Sequence, residues 1–263
     1  MTFELPPPEP AGPAAAPAAV TPARSTAPLF DDSRGAERRV AAVDALATVV
    51  GGEHVELMAE RALYWPRERT LFVADVHLGK AATFRAHGVP LPRGVTATDL
   101  DRLSRLLERT GATRIVVLGD LIHARAGRVA SLDDAVVAWR QAHRGVRVIL
   151  VRGNHDKHAG DPPPAWDVEC VADPHAFAPF LACHAPVSPP SGYALCGHVH
   201  PGVRLYGRGE ETARLPCFVL GPRHAVLPAF GRFTGLALVA PAAGSRLVAI
   251  AGSTLFPLPP AGA

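Results

Sequence analysis

The chain has 263 residues, of which 48% are hydrophobic, so it can bury a substantial core, and we expect one large domain rather than two small ones. Its formal net charge of +3, from 27 basic and 24 acidic residues, is too small to indicate a nucleic-acid partner by itself. The cysteine spacing fits neither a zinc ribbon nor a disulfide framework, and neither a secretory leader nor a membrane span is evident, so we expect a cytoplasmic protein without a membrane partner.

Residues 1–35 are a Pro/Ala-rich segment of low complexity, with too few large side chains to offset the entropy lost on ordering. We expect this segment to be a disordered tail and residues 36–258 to form the domain. The first strands are predicted over 54–64 and 70–74, where short β-prone apolar runs flank a turn-like stretch.

Helices and strands alternate in the next part of the chain. A helix is predicted over 98–110, because four leucines share one face and Gly111 follows the last turn. A second helix is predicted from Ser131, and short buried strands are predicted over 115–118 and 146–151. This alternation indicates βαβ units and a largely parallel sheet.

Beyond about Pro174 the helical pattern disappears, and short β-prone segments separated by Gly and Pro predict a second sheet. These segments are 180–183, 193–196, 217–220, 225–227, 236–240 and 246–250.

Polar clusters follow the predicted strands. In the alternating half, the apolar runs lead into D-V-H at 75–77, G-D-L-I-H at 119–123 and G-N-H-D at 153–156. Two later strands lead into His184 and into G-H-V-H at 197–200. Because ligands bind at the carboxyl ends of the strands in open α/β sheets, we expect these clusters to converge.

The candidate ligands are two carboxylates, one carboxamide and four imidazoles, a set that suits Mn²⁺, Fe or Zn²⁺ better than Ca²⁺ or Cu(I). Seven ligands are too many for one catalytic ion that keeps an open position, but they suffice for two ions if one carboxylate bridges. Phosphatases and nucleases use such pairs of ions, spaced ~3.5–4 Å apart. The seven candidates are Asp75, His77, Asp120, Asn154, His184, His198 and His200.

The motif order D-x-H, GD-x-x-H, GNHD, H and G-H-x-H resembles the five-part signature of the calcineurin-like metallophosphoesterase superfamily. The resemblance implies an α/β fold, a single-domain two-sheet αββα sandwich, and hydrolysis at two divalent ions, with Mn²⁺ expected and Fe or Zn²⁺ as alternatives. It implies that Asp75, His77 and His200 hold one ion, that Asn154, His184 and His198 hold the other, and that Asp120 bridges them.

The resemblance also implies roles for three further side chains. His155 matches the residue that approaches the scissile phosphate and protonates the leaving oxygen, and Asp156 would orient its ring and support its charged form. His123 resembles a histidine of the repair-nuclease branch that faces the substrate phosphate, and the alternative is that it orients Asp120.

Three further runs resemble the bacterial ligase-associated DNA-damage-response endonuclease family of the PdeM type, over about residues 50–240. The runs are LGKAATFRAHGVPLPRG at 78–94, GNHDKHAGDPPP at 153–164 and LPAFGRFTG at 227–235. The resemblance implies a phosphodiesterase or endonuclease acting on DNA during repair, with partners in a DNA ligase pathway. The sequence does not determine the oligomeric state, and an oligomer is possible. The chain departs from that family at Leu236, where a glycine is usual, and in its long N-terminal tail.

Basic residues flank the motif loops and could line a groove for a polyanionic backbone, although an ordinary arginine-rich surface is an equal alternative. Two enzyme classes therefore stay open, a DNA endonuclease and a phosphatase or phosphodiesterase of a small nucleotide, besides a non-catalytic scaffold. The basic residues are Lys80, Arg85, Arg93, Arg125, Arg128, Arg152 and Lys157, of which Arg85, Arg125, Arg152 and Lys157 are the chosen substrate-binding candidates.

Overall fold

Two β-sheets packed face to face form the body of the protein, as a computed structural model shows for residues 43–92, 94–207, 211–240 and 242–259. The predicted tail at 1–35, the start of the predicted domain at 36–42 and Arg93 lie outside the described residues.

The first sheet has seven strands that lie side by side in chain order. Strands β1 to β4 pair antiparallel, and strands β4 to β7 pair parallel, so the parallel part predicted from the alternating pattern is confirmed. The strands are β1 (Ala45–Val50), β2 (Glu53–Met58), β3 (Ala62–Trp65), β4 (Thr70–Val73), β5 (Arg114–Leu118), β6 (Arg147–Val151) and β7 (Val168–Val171).

Four α-helices connect the parallel strands, and the two longest pack against one face of the first sheet. The leucine face of the first long helix is buried as predicted, and its C-terminus ends at Gly111 in a left-handed conformation. The Trp139 indole donates to the Ser104 hydroxyl at 3.0 Å and joins the two long helices. The helices are α1 (Lys80–Ala86), α2 (Val95–Thr110), α3 (Ala130–Ala142) and α4 (Asn154–Ala159).

The second sheet has nine strands and is mixed, in the order β14-β11-β12-β13-β10-β9-β8, with β15 beside β12 and β16 beside β15. Strands β9, β10 and β13 run parallel to one another. The strands are β8 (His175–Phe177), β9 (Phe180–Ala182), β10 (Tyr193–Cys196), β11 (Pro201–Tyr206), β12 (Thr212–Leu220), β13 (His224–Val226), β14 (Ala237–Leu238), β15 (Arg246–Ala251) and β16 (Thr254–Pro257).

Aromatic side chains fill the space between the sheets. The Phe180 ring of the second sheet meets Trp65 of the first edge-to-face, with the ring centroids 4.9 Å apart. Phe72 lies 6.2 Å from the same Phe180 ring, and all three side chains are fully buried. The two sheets therefore share one core, which confirms a single α/β domain of the predicted class.

Some predicted boundaries are wrong. The run 54–64 is two antiparallel strands, because the chain turns back at Arg61, whose φ of 68° is left-handed. Helix α2 begins three residues before its predicted start, and the predicted strand at 236–240 shortens to Ala237–Leu238. Within the described part of the chain, no helix combines the length and apolar character needed to cross a membrane.

Replacing Phe180 by alanine should lower the free energy of unfolding by about 3–5 kcal/mol, because the cavity opens where the two sheets meet. Urea denaturation measures this loss. The matched control is Phe233→Ala, whose ring is half exposed and whose loss should leave the midpoint nearly unchanged. Equal midpoints for the two variants would contradict a shared core centred on Phe180.

Candidate metal centre and active site

The seven side chains predicted to bind metal lie together where strands of both sheets end. Loops after β4 and β5 and the start of α4 carry four of them, and loops after β9 and β10 carry the other three. The first sheet supplies Asp75, His77, Asp120 and Asn154, and the second supplies His184, His198 and His200.

One cluster contains Asp75, His77 and His200, whose ligand atoms lie within 4.8 Å of one another. The Nε2 atoms of the two histidines are 3.3 Å apart, and His200 Nε2 is 3.6 Å from Asp75 Oδ1. Two imidazoles and a carboxylate therefore point at one small space.

A second cluster surrounds the ring of His184. Its Nε2 atom lies 2.8 Å from Asn154 Oδ1, 3.0 Å from His198 Nδ1 and 3.5 Å from Asp120 Oδ1. Asp120, His184 and His198 also lie within 4.8 Å of one another.

Asp120 lies between the two clusters. Its Oδ1 atom faces His184, and its Oδ2 atom is 3.9 Å from His77 Nε2 in the other cluster. The side chain is almost completely buried, so its charge is shared between the clusters rather than solvated. This is the placement that a bridging carboxylate requires.

The hydrogen bonds of these side chains fit bound cations. His184 Nδ1 lies 3.1 Å from the Leu118 carbonyl oxygen, which can only accept, so the ring proton belongs on Nδ1. The Nε2 lone pair then faces Asn154 Oδ1, another acceptor. Asp75 Oδ1 is buried without a hydrogen-bond partner. Acceptors that face each other in a partly buried site are costly unless a cation lies among them.

His77 is also held in the form that binds metal. Burial, with a further contribution from the Lys80 charge, lowers the pKa of His77 to about 2. The ring is therefore neutral at physiological pH and offers a lone pair. With oxygen and imidazole donors and no thiolate, the two clusters fit a pair of divalent cations.

The backbone of the site is strained. Among the described residues, nine other than glycine have a positive φ, and five of these belong to the predicted ligand set. Left-handed conformations cost about 1–3 kcal/mol each and concentrate at functional sites, where the surrounding structure enforces them. The five residues are Asp75, His77, Asp120, His198 and His200, with φ between 51° and 70°.

The glycines that precede three of these side chains allow close approach of one loop to another. A Cβ at Gly119 would overlap the His184 ring, and Gly119 itself has a φ of 80°. A Cβ at Gly153 would overlap the Asp120 carboxylate, and one at Gly197 would lie 2.7 Å from Asp75 Oδ2. Each glycine therefore lets one strand-end loop rest directly on a side chain of another.

Comparison with known proteins identifies the family. The model of the family described as calcineurin-like phosphoesterase matches residues 68–208, more than half of the chain. The chain belongs to this family.

One solved structure agrees with this assignment. It is the crystal structure of Pseudomonas putida nuclease MPE, with 41% sequence identity and a TM-score of 0.70. The alignment covers 81% of this chain and 100% of the nuclease chain. YfcE, a phosphoesterase from E. coli, is 18% identical over 71% of this chain and 90% of that chain, with a TM-score of 0.34. No curated protein sequence matches the chain significantly. The protein is a metal-dependent phosphoesterase, a hydrolase that acts on ester bonds.

His155 of the phosphoesterase lies beside Asp120 at the surface of the site. Its ring Nδ1 donates to the His123 carbonyl at 2.7 Å, which leaves Nε2 facing inward, 4.0 Å from Asp120 Oδ2. Its backbone N–H donates to Asp120 Oδ1 at 2.9 Å. The ring is about 38% exposed, so it combines access to solvent with contact to the clusters.

The prediction that Asp156 orients the His155 ring is wrong. The buried Asp156 carboxylate accepts the backbone N–H groups of Asp120, Ile122 and Gly153, at 2.7, 3.1 and 2.9 Å. Burial raises its pKa, although the three N–H groups act in the opposite direction. Asp156 therefore ties the loop after β5 to the start of α4, a position where N-terminal carboxylates commonly cap helices.

His123 lies beside the other imidazoles rather than against Asp120. Its ring stacks on His155, with centroids 5.0 Å apart and an interplanar angle of 22°, and its Nδ1 is 3.4 Å from His77 Nδ1. Phe84 stacks at 6.2 Å and 19° from it. Burial, then the Lys80 charge, lowers the pKa of His123 to about 4.

Three of the four predicted substrate-binding residues have partners within the chain. Arg152 forms two 2.8 Å bonds to the Asp161 carboxylate, which compensates its charge. Arg125 donates to the His158 carbonyl, and Arg85 donates to the carbonyls of residues 91 and 92. Lys157 is exposed on α4, three residues after Asn154. Sequence reasoning missed these contacts because they join residues that are 6 to 33 positions apart.

Replacing Gly119 by alanine should lower the affinity of the phosphoesterase for Mn²⁺ at least about tenfold, because the new Cβ displaces the His184 ring. Isothermal titration calorimetry on protein stripped with EDTA measures the affinity. Gly145→Ala is the control, since a Cβ there meets no atom within 4 Å. Parental affinity in the Gly119 variant would show that this close approach is unimportant.

Proposed function

We propose that this phosphoesterase is a dinuclear-metal-dependent phosphodiesterase that acts as an endonuclease on DNA. The observation that carries the proposal is the position of Asp120, with one carboxylate oxygen toward each imidazole cluster. The nuclease activity is inferred from Pseudomonas putida nuclease MPE, which is 41% identical over its whole length.

In this proposal the two clusters hold one divalent cation each. Asp75, His77 and His200 would hold the first, Asn154, His184 and His198 the second, and Asp120 both. When bound, the cations would supply a water of lowered pKa and would neutralise the charge that develops on the phosphate oxygens. Mn²⁺ is the proposed metal because the donors are oxygens and imidazoles, with Fe or Zn²⁺ as alternatives.

His155 would donate a proton to the leaving oxygen. Because the His123 carbonyl fixes the ring through Nδ1, the Nε2 atom faces the site and can carry the transferable proton. Its partial exposure lets the ring recover a proton from solvent after each turnover. The hydrogen bond from the His155 backbone N–H to Asp120 Oδ1 keeps the acid at a fixed position beside the clusters.

His123 and Lys80 would face the substrate phosphate. The Lys80 charge helps to lower the pKa of His77, and the His123 ring lies 3.4 Å from His77 Nδ1 and packs directly against His155. A neutral His123 can donate one hydrogen bond to a phosphate oxygen, and the half-buried Lys80 ammonium adds positive charge.

The exposure of the site favours a polymeric substrate. Asn154 and His198 are exposed, so the clusters open to the surface rather than into a closed chamber. Lys157 lies on the same helix as Asn154 and His155 and can bind a phosphate next to the one that is cleaved. A role in DNA repair alongside a ligase pathway belongs to the same proposal, and four free thiols fit a reducing cytoplasm.

Mn²⁺ added to the EDTA-treated enzyme should restore hydrolysis of bis-p-nitrophenyl phosphate and labelled single-stranded DNA. It should restore less activity on p-nitrophenyl phosphate or duplex DNA. Replacing His155 by alanine should lower kcat for the diester about 10²–10³-fold, because the leaving oxygen loses its proton donor. Steady-state kinetics at saturating metal measures both effects.

The control for this experiment is His143→Ala, which removes a ring that stacks on Trp139 at the end of α3. It should keep parental activity. Equal diester hydrolysis by the His155 variant would refute the acid role, and hydrolysis that does not require a divalent metal would refute the dinuclear site.

Lys157→Ala should raise KM for single-stranded DNA and reduce the slope of log KM against log salt by about 0.7, the value for one lost phosphate contact. KM for bis-p-nitrophenyl phosphate, which has a single phosphate, should change far less. Arg144→Ala removes an exposed charge after α3 and serves as the control. An unchanged salt slope in the Lys157 variant would argue for a small-nucleotide substrate.

A further inference from the structure

The segment Ala229-Phe230-Gly231 lies directly against the loop that carries Asp75. The Phe230 N–H donates to the Ala74 carbonyl at 2.7 Å, and the Gly231 N–H donates to the Asp75 carbonyl at 3.1 Å. A Cβ at Gly231 would overlap the Val76 carbonyl, so no gap separates the two backbones. The position of this segment therefore limits how the backbone at Asp75 can move.

Two partly buried arginines hold the segment from its other side. Arg61 Nη1 donates to the Ala229 carbonyl at 3.0 Å and approaches the Gly231 carbonyl at 3.5 Å. Arg102 donates to the Phe230 carbonyl, and its guanidinium lies 3.8 Å from the centre of the Phe230 ring. All three carbonyls of the segment are thus held by guanidinium groups.

Asp99 completes this group of charges, which we name the charged clamp: Arg61, Asp99 and Arg102. Asp99 lies on the buried face of α2, and its Oδ1 is 3.3 Å from Arg102 Nη2. Burial raises the pKa of Asp99 to about 6 and lowers that of Arg102 to about 10. Burying such charges seldom stabilises a protein more than well-packed apolar side chains would. Stability alone therefore does not explain why the clamp consists of charged residues.

We propose that Arg61, Asp99 and Arg102 are positioning residues for the metal centre, holding Ala229-Phe230-Gly231 against the loop that carries Asp75 and His77. Both ligands have left-handed φ angles, 52° and 51°, which persist only when the surroundings enforce them. The clamp enforces them through the Ala74 and Asp75 carbonyls. This inference rests on the proposed function for the two metal ions.

The test is Arg61→Gln, which removes the donors to Ala229 and Gly231. Mn²⁺ affinity, measured by titration calorimetry on EDTA-treated protein, should fall about 10–100-fold, the usual effect of removing a group that supports metal ligands. In the metal-free protein, the amides of Asp75 and His77, bonded to the carbonyls of residues 119 and 120, should exchange faster with deuterium.

Arg140→Gln is the matched control. Arg140 is more deeply buried than Arg61 and binds Asp167 at 2.9 Å and the His143 carbonyl at 3.3 Å, at the end of α3. This variant should lose stability but keep parental Mn²⁺ affinity and parental exchange at residues 75–77. Equal loss of affinity in the two arginine variants would show that general destabilisation explains the effect and would overturn the inference.

If Arg61→Gln does not fold, Arg61→Lys decides, because lysine keeps the charge but replaces the planar guanidinium, whose Nη1 reaches both carbonyls, with a shorter ammonium group. Its affinity for Mn²⁺ should lie below the parental value, and parental affinity would overturn the inference. A parental protein that binds no Mn²⁺ would refute the proposed function. If the parental protein and Arg61→Gln bind Mn²⁺ with equal affinity, the positioning role of the clamp is refuted and the proposed function is not affected.

Discussion

Two carboxylates buried among imidazoles impose the constraint on which the rest of this structure depends. Asp75 and Asp120 have almost no exposure, and the hydrogen bonds that reach them come mainly from backbone N–H groups, such as His198 to Asp75 and His155 to Asp120. An N–H dipole compensates a buried charge only in part. The site therefore needs cations, and it needs loops that keep both carboxylates in place until the cations bind.

Both sheets contribute to meeting that need. Parallel strands of the first sheet end at one rim and place the two aspartates and Asn154 close together, and the second sheet brings its histidines to the same rim. Asp156 then joins the loop after β5 to α4 by accepting hydrogen bonds from three backbone N–H groups. Since Asn154 and His155 both lie on α4, this carboxylate holds the proposed metal ligand and the proposed acid at fixed positions relative to Asp120.

The order of the motifs in the chain was enough to predict which side chains meet, because each motif follows an apolar strand and strand ends meet at one rim. The leucine face of α2 was predictable for a similar reason, since helical periodicity is local. The partner of Asp156 was not. A carboxylate can accept from a side-chain donor or from a backbone N–H, and only the folded loops decide between them.

The charged clamp was equally hidden in the sequence. Arg61 lies 168 positions from Ala229, and Arg102 lies 128 positions from Phe230, so no local pattern links them. In a chain with 27 basic residues and only two lysines, an arginine that holds a backbone carbonyl looks like any other. The LPAFGRFTG run was recognisable by resemblance, but its contact with the Asp75 loop follows from the tertiary fold alone.

These contacts also link folding to metal binding. A ligand that binds only the folded state stabilises that state, so cations at the two clusters would relieve the repulsion between Asp75, Asp120 and the lone pairs around them. Without cations, three other features must hold the strained turns at these residues. They are the close packing of the glycines against neighbouring loops, the hydrogen bonds to Asp156, and the charged clamp. Burying the charges of Asp156 and the clamp lowers the stability of the metal-free fold. Metal binding then restores that stability. In this fold, the groups that look least favourable in isolation are the ones that keep the metal site ready.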